Sequence, residues 1–157
     1  MGTAGIIIIL SLVFSAFFSG MEIAFISANK IHIEIEKKQE GFLAMVLTRL
    51  TKKPSKFIAT MLIGNNIALV IYGLFMGELL MNWFTGIVPD NAILQLLITD
   101  FSLLTQTLIS TFIILITAEF LPKVLFQIYA NNLLKLLAIP AFSRLFQISL
   151  FGYQILY

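Results

Sequence analysis

Residues 5 to 28 read GIIIILSLVFSAFFSGMEIAFISA, and this stretch decides the fold. Its polar side chains are Ser11, Ser15, Ser19, Glu22 and Ser27; nearly everything else is aliphatic or phenylalanine. At about 1.5 Å per residue a helix of this length crosses the hydrocarbon of a bilayer. No basic residue precedes it, no small-residue cleavage site follows it, and Glu22 with the basic run beyond argues against a secretory signal. The rest of the chain agrees in character. Hydrophobic residues make up 59% of the sequence and charged residues 11%, with a mean hydropathy of +0.99. A soluble domain of this size needs more polar surface than that.

Working outward, two further apolar runs cover residues 57–81 and 101–130. The chain is therefore expected to be an all-α integral membrane domain over residues 1–157, with three spanning helices. Between the first two spans, residues 29–56 hold Lys30, Glu34, Glu36, Lys37, Lys38 and Glu40, then Arg49, Lys52, Lys53 and Lys56. Gly41 divides them. The first part, Ile31 to Glu36, alternates with period two and is open to a strand reading. Strong helix formers follow, however, and Phe42, Met45, Val46 and Leu50 recur at helical spacing. Two short amphipathic helices on the bilayer surface fit best, with Pro54-Ser55 opening the next span.

The stretch from Asn82 to Asp100, with Trp83, Gly86, Pro89 and Asp90, reads as a loop with an aromatic anchor and a partial helix on its return. Residues 133–157 are apolar enough to span. Lys135, Pro140 and Arg144 fall within them, though, and an arginine at mid-bilayer costs roughly 2.5 kcal/mol or more. A juxtamembrane helix lying in the interface avoids that cost.

The net charge is +2, but its placement carries more meaning than its size. No Lys or Arg lies between Lys56 and Lys123. By the positive-inside rule the 29–56 connection and the C-terminus are cytoplasmic, and the N-terminus and the 82–100 loop lie outside. This pattern orients a membrane protein and is not a nucleic-acid footprint. Cysteine is absent and His32 is the single histidine, so thiolate and imidazole metal sites are excluded. With no nucleophile–base pair and no glycine-rich phosphate loop, an enzyme is not expected.

Polar groups inside hydrocarbon each require a reason. Ser11, Ser15, Ser19 and Glu22 lie on one stripe of the first span at about 100° per residue. Such serines either pack against a neighbouring helix or, with Glu22, Ser15 and Ser19 as ligands, line a site. The second span carries Gly64-Asn65-Asn66. An amide oxygen is a good ligand for a hard cation, and two asparagines equally well lock helices together by hydrogen bonds. Gly73 and Gly77 form a Gly-x-x-x-Gly spacing, a candidate dimer contact.

In the third span, Thr117-Ala118-Glu119-Phe120-Leu121-Pro122-Lys123 is the most specific run. Pro122 breaks the helix because it has no N–H for the carbonyl of Ala118, four residues back. A freed backbone oxygen then stands beside the Glu119 carboxylate, hard-oxygen chemistry suited to Mg²⁺ or Ca²⁺. The alternative is a proline kink with Glu119 neutralised by Lys123 at i+4.

Three motifs carry a resemblance to the transmembrane domain of the CorC/cyclin-M family. They are Phe18-Ser19-Gly20-Met21-Glu22 followed by Ala24, then Leu62-Ile63-Gly64-Asn65-Asn66, then Glu119-Phe120-Leu121-Pro122-Lys123. The basic insertion between the first two spans matches in place and character. The resemblance implies a homodimer in the cell membrane, with cytosolic CBS domains following the membrane domain. It further implies Mg²⁺ transport, usually export, coupled to Na⁺. The cation site it implies uses Ser19, Asn65 and Glu119 with the backbone carbonyl of Ala118. Met21 stands where the family often has a second small polar residue, and Ala118 where it commonly has glycine. The CBS domains are absent from this sequence, so a piece of a longer protein and a stand-alone membrane domain both fit. A non-transporting dimeric membrane scaffold, docking cytosolic or envelope partners, is the competing expectation.

Overall fold

A computed structural model describes residues 2–87 and 91–140. The chain opens with α1 (Gly2–Ser27), followed by two short helices, α2 (Lys30–Lys37) and α3 (Phe42–Lys52). The long α4 (Pro54–Thr85) runs back along α1, and α5 (Ala92–Ile98) leads into the third span. That span is a composite of α6 (Ser102–Ile114), a π-helical turn (Leu115–Phe120) and α7 (Leu121–Ile128). It is followed by α8 (Ala130–Pro140). No strand occurs among the described residues. Among them, Gly2–Ser27, Pro54–Thr85 and Ser102–Ile128 are long and apolar enough to cross a membrane.

The expected spans are therefore present, with ends shifted by a few residues. The largest shift is at α4, which runs on to Thr85, so Asn82 and Trp83 are helical rather than part of a loop. The partial helix expected on the return is α5. Residues 29–56 form two helices, not a strand. Asn29 caps α2, its Oδ1 accepting from the N–H of Ile31 at 2.9 Å and of His32 at 3.4 Å; such a cap satisfies donors that a helix start leaves orphaned. Gly41, at φ 137°, makes the corner into α3, a conformation that side-chain-bearing residues rarely adopt. Pro54 sits at the first turn of α4, where its missing N–H costs nothing. Of the expected juxtamembrane helix, residues 130–140 are described as α8; Arg144 and the remainder of 133–157 lie outside the described residues.

The main apolar core sits at the basic end of the bundle. Met21, Ala24 and Ala28 follow α1, meet Phe57 and Met61 of α4, and are capped by Val46, Leu47 and Leu50 of α3 with Ala130 and Leu134 of α8. The rings of Phe25 and Phe57 stand 4.7 Å apart in the same cluster. Helix α3 presents a slightly different face from the one its spacing suggests. Val46, Leu47 and Leu50 point inward, whereas Phe42 and Met45 are more than half exposed. Elsewhere large aliphatic side chains such as Leu74, Leu103 and Leu108 are exposed on the outside of the spans. In water that surface would be untenable; for a membrane domain it is the lipid-facing coat.

Candidate cation site

The serine stripe of α1 faces inward. Ser11, Ser15 and Ser19 are 5%, 0% and 1% exposed, and they lie against α4 and the third span. Ser15 Oγ donates to Asn65 Oδ1 at 2.6 Å, a buried bond that joins the first and second motifs. Close approach makes this contact possible. A Cβ at Gly64 would lie 2.7 Å from the Phe18 ring, and one at Gly20 would lie 2.7 Å from the Phe126 ring. One turn from the Ser15–Asn65 bond, Ser19 Oγ is buried with no hydrogen-bond partner among the described residues. A hydroxyl in that condition gives up roughly 1–3 kcal/mol of desolvation unless something binds it.

The third span reaches the same depth. Tyr72 Oη donates to the carbonyl of Ser110 at 3.3 Å, and Gln106 rests on Gly77. Carried along the two antiparallel helices, that register sets Asn65 level with Thr117 and Ala118. Ala118 is completely buried, and its π turn packs on α1. The break at Pro122 differs in form from a simple kink. Leu121 gives its N–H to the carbonyl of Ile116, five residues back. In an α-helix that donor would serve Thr117, whose next partner in the wider register is Pro122, which has no N–H. The shortage of donors is thus shared by Thr117 and Ala118, instead of falling on Ala118 alone.

The remaining candidates divide. The Glu119 carboxylate, 31% exposed, takes Lys123 Nζ at 3.3 Å and lines an open groove with Leu115, Ile116 and Phe120. Glu22 is half-buried beside the core, and Asn66 is exposed, turned away from its neighbour Asn65. Met21 is fully buried within the apolar core. Of the glycine pair, Gly73 faces open space while Gly77 is occupied within the chain by Gln106. No group of three or more His, Cys, Asp or Glu converges among the described residues. Buried hydroxyl and amide oxygens of the first two spans thus lie level with a donor-poor turn that also carries the Glu119 carboxylate, groups whose chemistry suits hard cations. Sequence reasoning did not find the π turn, the Ser15–Asn65 bond or the placement of Gln106. Pro122 signalled a break, but nothing in the spacing signals a register change.

The fold is that of an all-α integral membrane domain in which buried polar side chains of the first two spans lie at the depth of the π turn in the third. Residues 6–149 match the family described as the cyclin M transmembrane N-terminal domain, and the chain belongs to that family. It is also 29% identical, over 118 residues, to a protein of Escherichia coli (strain K12) called UPF0053 inner membrane protein YfjD. The match takes in 75% of this chain and 24% of that relative, so the chain spans about a quarter of the relative's length.

Proposed function

We propose that this domain moves divalent cations across the membrane, Mg²⁺ foremost, by way of an oxygen set formed by Ser19, Asn65, Glu119 and the Thr117–Ala118 carbonyls. The observation that carries the reading is Ser19 Oγ, 1% exposed and without a hydrogen-bond partner among the described residues, one turn from the Ser15–Asn65 bond. Mg²⁺ sheds its water reluctantly and asks for near-octahedral oxygen at close range. Such a site needs several ligands in place before the ion arrives and one charge to offset its own. Glu119 supplies the charge once its carboxylate exchanges Lys123 for the cation. Access alternates by movement of spans around that fixed site, and the register change in the third span is a natural place for it, since π turns often mark functional positions.

Export driven by the Na⁺ gradient, a homodimeric assembly and CBS domains in the full-length protein belong to the same reading, as does localisation in the cell membrane. Charge placement supports a cytoplasmic basic end with the N-terminus outside. The test is thermal unfolding of the purified chain with Mg²⁺, Ca²⁺ or Na⁺, wild type beside Glu119→Gln. A shift selective for Mg²⁺ and lost in the variant supports the site; no response from the wild type at millimolar Mg²⁺ overturns it.

One observation favours a second reading, a non-transporting membrane scaffold. Glu119 is already paired with Lys123, and a pair of this kind satisfies the carboxylate without any ion. Under that reading Glu119→Gln leaves partner docking intact and no cation shifts the unfolding temperature.

A further inference from the structure

Polar side chains continue from the site toward the end of the bundle opposite the basic one. Ser11 of α1 is buried one turn beyond Ser15. Tyr72 of α4, also buried, bonds the carbonyl of Ser110 on α6. One turn further out is Gln106, whose amide lies so close over Gly77 that a Cβ there would be 2.6 Å from its Nε2. The Oε1 of Gln106 is buried and has no hydrogen-bond partner among the described residues. From Asn65 to Gly77 along α4 is about 18 Å. Over that distance hydroxyl and amide groups recur at the inner face while Leu74, Leu103 and Leu108 turn outward.

We infer that Gln106 is a second oxygen station for a hydrated cation, at the outer end of a polar track through Ser11 and the Tyr72–Ser110 pair. The inference rests on the transport reading above and extends it. An acceptor oxygen shielded from lipid and lacking a donor is costly, and a cation or its hydration water relieves that cost. Gly77 makes the station possible, because any side chain there would displace the amide. Packing alone does not call for an amide, since methionine has nearly the same shape and no polar atoms to satisfy.

The chain has no cysteine, so single cysteines report access directly. Ser11→Cys and Ser110→Cys, in liposomes and treated with a water-soluble cationic thiosulfonate from the outer side, should react at least tenfold faster than the lipid-facing Leu10→Cys and Leu108→Cys. Gln106→Met should slow Mg²⁺ flux at least fivefold while keeping the Mg²⁺ stabilisation of the wild type, and Gln106→Glu should retain flux. Serine positions no more reactive than the leucine controls overturn the track. Flux unchanged in Gln106→Met makes the amide a packing group and overturns the station. Should wild type show neither flux nor stabilisation, the transport reading fails and the cation station fails with it. The cysteine rates then judge only whether the track holds water.

Discussion

Lys135 Nζ meets Glu36 Oε1 at 2.5 Å, tying the middle of α8 to the end of α2 across 99 positions of sequence. The contact is partly shielded, with Lys135 29% and Glu36 14% exposed, and His32 Nε2 stands 3.9 Å from the same carboxylate oxygen. Nearby, the N–H of Asn29 donates to Asn131 Oδ1 at 3.0 Å. Polar bonds at the rim and Leu134 in the core thus hold α8 against the interfacial helices.

Breaking that ion pair should loosen α8. Glu36→Gln or Lys135→Met is expected to cost about 1–2 kcal/mol, and a double-mutant cycle should return a coupling of about 1 kcal/mol, modest because both groups touch water. Thermal unfolding in one detergent, across the four combinations, measures it. Coupling indistinguishable from zero would mean that α8 is held by Leu134 and its neighbours alone.

Ser19→Ala separates folding from binding. Its hydroxyl has no partner among the described residues, so removal should leave the metal-free protein as stable as wild type or slightly more so. The Mg²⁺-dependent rise in unfolding temperature should disappear. A variant that is destabilised without metal would show that Ser19 serves packing.

Ser15 and Asn65 should behave in the opposite way. Ser15→Ala strands the Asn65 amide oxygen and is expected to cost about 1–3 kcal/mol. Pairing it with Asn65→Leu should recover much of that stability but not Mg²⁺ binding. Unfolding with and without Mg²⁺ reports both effects at once.

Along α3, burial predicts a sharp contrast between adjacent faces. Leu50→Ala opens a cavity in the apolar core and should cost about 2–5 kcal/mol. Met45→Ala, on the exposed face, should cost under about 0.5 kcal/mol. Equal losses at the two positions, read from unfolding curves, would mean that α3 is not seated as described.

The spans were legible because hydrocarbon imposes a length and a composition that no local preference overrides. Beyond Gly41 a helix was legible from the spacing of Phe42, Met45, Val46 and Leu50, whereas Ile31 to Glu36 alternates with period two and only the helix formers after it favoured a helix. The inward face of α3 was off by part of a turn: Leu47, rather than Met45, is buried, a choice made by the shape of the α1–α4 end and not by hydrophobicity. Within the site, spacing alone did not separate Asn65 from Asn66; the family resemblance pointed to Asn65, and its bond from Ser15 supplies the physical difference. Gln106 passed unnoticed for a similar reason. A lone glutamine near the end of a span means little until the glycine it covers, on another helix, is known.

The π turn has one more consequence. A helix advances about 100° per residue, and a π turn carries one residue more than the α turn it replaces. Everything after Phe120 therefore stands rotated by roughly that angle from where a straight helix would leave it. Phe126 meets Gly20 because of this rotation. Helix α8 is clasped to α2, so its own azimuth is held. Tyr129, at φ −103° and ψ 26°, is the non-helical joint between the rotated α7 and the held α8. Were the turn at the Pro122 break to rewind to α, that joint would have to absorb the same angle.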